Sequence, residues 1–398
     1  MRHFRWNKFM TRLAAVGLIG LMCGCEDHGE QNLWNNAAWS PDQTQVAVVA
    51  GDEGKDLMLG NWPSGTWLKL AVAADKHRFF HPLWLSDQHG RPLISVFEID
   101  ADGKDKETED NRLRFFRAND GAGLDDLAAC ASHEILAMED LQSVQAGAGR
   151  STLIYAGKTQ GHWQVREIEL GLPGARTLLA ENNDSNQALV SGDGMWLAVL
   201  REPYSPNATI MVYPTQVSWM EPTAEWQPDD LLHKSYIENR CNWKLRSWSP
   251  DGAWLLAEAR ETEGRLLLLR PMDRRAIVLP LNGRVRETIW SETGRYLAYR
   301  EERTVAKTRC DWIIIYDIYS NTSQSKSLDS DAVLVAWSPA CGLLLRSESG
   351  NIGTLTCLDL AQKINLYTLT WSDNQELLVS PMGRILLYPE RLAGFPGK

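Results

Sequence analysis

Residues Trp248-Ser249-Pro250-Asp251-Gly252 decide the fold. Proline at the second position of a turn presets its φ, aspartate at the third accepts local backbone hydrogen bonds, and glycine takes the positive φ that sends the next strand back antiparallel. The motif recurs. Trp39-Ser40-Pro41-Asp42, Trp290-Ser291-Glu292-Thr293-Gly294, Trp337-Ser338-Pro339 and Trp371-Ser372-Asp373 are clear copies, and Leu85-Ser86-Asp87 and Val190-Ser191-Gly192-Asp193-Gly194 are degenerate ones. One more, at Ala146-Gly147-Ala148-Gly149, is placed by spacing. The serine or its equivalent steps through 40, 86, 146, 191, 249, 291, 338 and 372, an interval of about 47 residues.

Short apolar strands follow the copies, as in Val46-Ala47-Val48-Val49, Leu197-Ala198-Val199-Leu200 and Leu377-Leu378-Val379. A second strand comes next, as in Thr209-Ile210-Met211-Val212-Tyr213 and Trp312-Ile313-Ile314-Ile315-Tyr316. No stretch holds a helical apolar period. The expected class is all-β, a β-propeller of four-stranded blades over residues 32–390, because radial repetition solves the problem of open sheet edges. Eight motifs predict eight blades, with residues 28–35 closing the ring as an N-terminal strand; seven blades is the alternative, with the weak repeat near residue 146 absorbed elsewhere. The Trp-Ser-Pro-Asp-Gly turn and its apolar strand resemble the TolB-type, WD40-like propeller repeats.

Composition agrees with one large repetitive domain. The 398 residues are 44% hydrophobic and 23% charged, which excludes a polytopic membrane protein and a disordered chain, and 17 Trp against 8 Phe is what a recurring Trp motif produces.

Residues 1–24 carry Arg2, Arg5, Lys8 and Arg12, then the apolar run from Leu13 to Met22, and no acid. The run is too short to span a bilayer as a helix. Followed by Cys23-Gly24-Cys25, it resembles the bacterial lipoprotein signal. The resemblance implies cleavage before Cys25 and acylation of its sulfur, with a lipidated tether over 25–31; residues 391–398 are expected to form a C-terminal tail after the propeller. Several acyl chains anchor firmly, at about 0.8 kcal/mol per buried CH2. Removing the four bases of residues 1–24 takes the net charge from −10 to −14, which argues against nucleic acid as a partner. Glu26 after Cys25 favours the outer membrane, periplasmic side. Cys130, Cys241, Cys310, Cys341 and Cys357 show no metal-like spacing and read as isolated buried thiols.

Connections from the fourth strand of one blade to the first of the next surround the channel mouth. They hold Arg78, Phe79, Phe80 and His81 in one case and Tyr236, Arg240 and Trp243 in another, a basic and aromatic mixture that suits an acidic peptide or a sugar. Trp219 and Trp226, in the connection from Pro214 to about Asp230, are either a contact surface or a satellite core. Asp100, Asp102 and Asp105 start a charged loop with a weak likeness to calcium loops; Lys104 and Lys106 interrupt it, and a solvated hairpin is the expectation. His77 and His81 would be zinc-like only on a helix.

No Gly-x-Ser-x-Gly elbow or histidine constellation is present. The expected function is a non-enzymatic, monomeric envelope lipoprotein, bound to the membrane through its lipid only, whose propeller is a scaffold for a protein or peptide partner. The alternative is a carbohydrate-active lyase or hydrolase, or a glycan-binding protein, using the channel mouth.

Overall fold

A computed structural model describes residues 37–388, apart from short internal segments and the longer stretches 101–111, 125–134, 136–142 and 228–242. The first blade is β1 (Ala37–Trp39), β2 (Gln45–Ala50), β3 (Asp56–Asn61) and β4 (Thr66–Val72). The second is β5 (His77–Ser86), β6 (Pro92–Asp100) and β7 (Arg112–Arg117). The third is β8 (Ser143–Ala146), β9 (Thr152–Thr159), β10 (His162–Glu169) and β11 (Ala175–Glu181), and the fourth is β12 (Gln187–Val190), β13 (Trp196–Arg201), β14 (Thr209–Pro214) and β15 (Ala224–Trp226). The fifth holds β16 (Trp243–Trp248), β17 (Leu255–Ala259), β18 (Arg265–Arg270) and β19 (Arg275–Val278). The sixth holds β20 (Arg284–Trp290), β21 (Tyr296–Val305), β22 (Thr308–Asp317) and β23 (Thr322–Ser327). The seventh is β24 (Val333–Ser338), β25 (Gly342–Ser349), β26 (Ile352–Asp359) and β27 (Ile364–Ser372), and a two-stranded hairpin, β28 (Glu376–Val379) and β29 (Ile385–Tyr388), follows. Every sheet is antiparallel with its strands in chain order.

The molecule is therefore a seven-bladed propeller with an inserted hairpin, and the expectation of eight four-stranded blades closed by an N-terminal strand fails. The error lies at Trp371-Ser372. This pair ends β27, where Trp371 pairs with Gly353 and Ser372 with Ile352 in the outermost ladder of the seventh blade. The apolar alternation Ile364-Asn365-Leu366-Tyr367-Thr368-Leu369 runs on through it, and no proline or glycine breaks the strand. The last turn comes later. Ser380 N–H donates to Arg384 O at 2.8 Å, and Ser380 Oγ accepts Arg384 N–H at 3.0 Å. The sequence at Ser380 lacks the Trp and Asp that made the other copies visible. Residues 28–35 lie outside the described residues, and β1 pairs in chain order with β2. The weak repeat near residue 146 does open a blade, so the count falls at the end of the chain and not there.

Among the described residues, apolar clusters fill the seams of the ring, one between each pair of consecutive sheets and one on either side of the hairpin. The second strand of each blade is buried on both faces, as in Val46–Ala50, Leu197–Leu200 and Leu255–Ala259, because neighbouring sheets cover it from both sides.

The turn motif builds these seams as well as reversing the chain. In the fifth blade Ser249 Oγ donates to Asp251 Oδ1 at 2.5 Å and accepts Trp254 N–H at 2.9 Å, while Asp251 Oδ1 accepts Ala253 N–H at 3.1 Å. Ser40 with Asp42 and Ser191 with Asp193 repeat the pattern. Three of the motif tryptophans then reach back one blade. Trp248 Nε1–H donates to Leu189 O at 3.0 Å, Trp290 to Ser247 Oγ at 2.9 Å and Trp337 to Ile289 O at 3.4 Å. Trp84, in a degenerate copy, does the same to Ala38 O at 2.7 Å. A side chain that is apolar over most of its area and carries one donor suits a seam with a strand edge on its far side.

The reading of the cysteines as isolated thiols is corrected at one position. Cys357, fully buried in β26, is disulfide-bonded, and its partner lies outside the described residues. Cys310 is a free thiol.

Candidate functional site

In a ring of up-and-down blades the two ends differ chemically. One end carries the motif turns and the turns between third and fourth strands; the other carries the connections between blades and those between second and third strands. Arg78, Phe79, Phe80 and His81 sit where β5 begins, at the second end.

A buried carboxylate organises this corner. Glu98, fully buried on β6, accepts Ala74 N–H at 2.6 Å on one oxygen, and Arg112 Nε at 2.7 Å and Arg114 Nη1 at 3.0 Å on the other. Burial pushes its pKa up, but the backbone donor and the two guanidinium groups outweigh burial and hold it below the usual carboxylate range. Arg78 lies over the Phe80 ring at 4.6 Å and Arg114 over Phe116 at 5.2 Å. Phe79 does not face the channel; it is buried against Phe116, edge to face, at 6.1 Å. His81 occupies a bulge with φ +50° next to Pro82. It is mostly buried between the second and third blades, where burial lowers its pKa despite a hydrogen bond to the Val144 backbone.

The other sequence candidates do not gather here. Trp243 is fully buried at the start of β16, and Trp226 is buried in β15, where its Nε1–H donates to Arg274 O at 3.3 Å. Both rings belong to the core between the fourth and fifth blades, and Trp226 reaches it from a strand and not from under a loop. Trp219, Tyr236 and Arg240 lie outside the described residues. Asp100 ends β6, and Asp102 and Asp105 lie outside the described residues. Among the described residues no group of three His, Cys, Asp or Glu side chains is placed to hold a metal ion.

Sequence reading missed the opposite end. Where a third strand turns back, the described residues hold a left-handed position: Gly65 at φ +68°, Gly121 at +69° after β7, Gly174 at +87° and Asn321 at +55°. In the fifth blade the residue is Arg274, at φ +55°. The same turn lifts Met272 to 70% exposure, and the sixth blade's turn lifts Tyr319 to 75%. The visible signal is Arg270-Pro271-Met272-Asp273-Arg274-Arg275, a turn sequence with no glycine or asparagine.

Seven radial blades, apolar seams and two chemically distinct ends define the class: the chain is a β-propeller. No protein-family profile and no curated protein matches its sequence. Among solved structures, a prolyl endopeptidase superposes with a TM-score of 0.58 at 10% identity, covering 95% of this chain and 57% of that one. Oligopeptidase B from Leishmania major gives 0.53 at 10% identity, covering 95% of this chain and 55% of that one. The chain thus spans little more than half the length of these peptidases, and at such identity the likeness is one of fold alone. TolB from Acinetobacter baumannii superposes more loosely, at 0.38 and 9% identity over 72% of this chain and 64% of that one.

Proposed function

We propose that this chain is a lipid-anchored envelope protein whose propeller is a non-enzymatic scaffold for a protein or peptide partner. The observation that carries the scaffold reading is how its perturbed carboxylates are used. Shifted acids mark catalytic centres when they face a cleft. Here Glu98 is held by Arg112 and Arg114, and Glu302 by Arg286. Glu287, raised by burial, is held by Arg300 at 2.7 Å and accepts Leu334 N–H from the seventh blade at 2.8 Å. These acids join strands and blades, which rigidifies a platform.

The export half rests on the basic and apolar start of the chain with Cys25 and on the disulfide at Cys357, a bond that persists in oxidising compartments. Among the described residues no helix is long and apolar enough to cross a membrane. Two measurements test the proposal. Cys25→Ser should move the protein from the membrane to the soluble envelope fraction, and full membrane retention would overturn the anchor. Crosslinking in intact cells should join the wild-type protein to a stoichiometric protein partner, and a chain that crosslinks to none would overturn the scaffold.

A further inference from the structure

We propose that the turns between third and fourth strands of the fifth and sixth blades form a docking surface for an acidic peptide segment carrying an apolar side chain, with Met272, Arg274, Arg275 and Tyr319 as its contacts. This rests on the scaffold reading and says where that partner binds.

Arg274 is the first observation. A residue with a Cβ at φ near +55° is strained relative to glycine. Four sister turns in this same chain avoid that strain with Gly65, Gly121, Gly174 or Asn321. Among the described residues these turns are internal controls for one backbone geometry, and the fifth blade's departs from them. Arg274 Nε–H donates to Thr223 O at a long 3.4 Å, and the residue is exposed.

Charge is the second. Exposed arginines elsewhere at this end face carboxylates: Arg91 with Asp87 at 2.6 Å, Arg176 with Glu167 at 2.5 Å, Arg295 with Asp317 at 2.8 Å. Arg274 and Arg275 enter no ion pair among the described residues. Arg275 instead lies over the Trp254 ring at 6.0 Å, which fixes its guanidinium near the sixth blade, close enough to act on Tyr316.

Met272 and Tyr319 are the third. Each is a large side chain lifted on the tip of a tight turn in adjacent blades, and Met, Tyr and Arg are the residue types that protein interfaces concentrate. A peptide is favoured over an anionic bilayer because the chain's net charge of −10 opposes approach of the whole face to a negative plane, whereas a narrow acidic segment can reach Arg274 and Arg275 while the nearby carboxylates of Asp273 and Asp317 are held by Arg270 and Arg295.

The test is fluorescence anisotropy on the full chain purified in detergent, with a short labelled Glu/Leu peptide as probe and a Lys/Leu peptide as control. The Glu/Leu peptide should bind and weaken with added salt. Arg274→Gly/Arg275→Ser should reduce its affinity tenfold or more without lowering the melting temperature, since glycine suits the backbone at 274. Met272→Ser/Tyr319→Ser should weaken it by a similar factor. Equal binding by either double variant, equal binding of the Lys/Leu peptide, or binding to phosphatidylglycerol vesicles but not to the peptide would overturn the surface. A crosslinked partner kept in Arg274→Gly/Arg275→Ser overturns this surface and leaves the scaffold standing. A wild-type chain that crosslinks to nothing removes both.

Discussion

The carboxylate of Asp193 stands where a side chain on Gly252 would begin: its Oδ2 lies 2.5 Å from the position a Cβ would take. Gly252 also has φ +67°. Asp251 bears the same relation to Gly294, at 2.6 Å. The aspartate of one motif therefore packs on the glycine of the next, and the five-residue turn is a unit of the ring as much as of the blade. Gly252→Ala should cost about 2 kcal/mol, from left-handed strain together with displacement of a carboxylate that already accepts Met195 N–H at 3.0 Å. Thermal melts decide this, and an unchanged midpoint would contradict the interlock. Trp248→Ala, which removes a buried ring and its bond to Leu189, should cost about 3–5 kcal/mol.

Ring closure depends on Arg384. Its Nη1 donates to Asp42 O at 3.0 Å and Gln43 O at 2.7 Å, and its guanidinium lies over Trp62 at 4.5 Å. One side chain at the start of β29 thereby holds two turns of the first blade. Arg384→Ala should cost about 2 kcal/mol, typical of charged hydrogen bonds, and the loss should be local. Hydrogen exchange followed by mass spectrometry should show β28 and β29 exchanging faster while the fifth and sixth blades keep their protection. Uniform acceleration around the ring would mean the seam is not the weak point.

What the sequence disclosed, and what it hid, follows from which forces are local. The turn motif is local chemistry, so its copies were legible wherever Pro, Asp or Gly survived, and the blades followed. Trp371-Ser372 misled because a tryptophan in a strand and a tryptophan before a turn look alike; the ladder to Ile352 and Gly353 decides between them, and that is tertiary. Ser380 escaped notice for the opposite reason, keeping the turn while losing its marker residues. At the candidate site, aromatic character alone did not separate Phe80, capped by Arg78, from Trp226 and Trp243, which a neighbouring blade covers. Arg274 escaped notice because nothing in its residue type marks a positive φ, and the one signal was a turn without glycine or asparagine.

His81 should make stability depend on pH. Burial holds its folded pKa below the ordinary 6.5. The unfolded chain then binds a proton that the folded chain refuses, so this contribution is whole above about pH 6.5 and declines as pH falls through and below that value. Glu98, lowered in the fold, adds a separate loss only as pH drops below its unfolded range near 4.5. Between pH 7.5 and 5.5 the melting temperature should fall, and His81→Asn should flatten that slope, asparagine being tolerant of the left-handed backbone at this bulge. An identical slope in the variant would assign the effect to another group.

The disulfide at Cys357 gives the most direct chemical check. The residue sits fully buried in β26, packed with Ala336, Leu344, Leu355 and Leu377 at the seam between the seventh blade and the hairpin. A crosslink there restrains the unfolded chain close to the ring closure, and native disulfides typically contribute about 2–4 kcal/mol. Non-reducing peptide mapping should find Cys357 in a bridged peptide and Cys310 alkylated. Reduction should then lower the melting temperature and raise exchange first in β28 and β29. Recovery of Cys357 as a free thiol from protein exported in the cell would contradict the bond, and with it one of the two supports for an oxidising compartment.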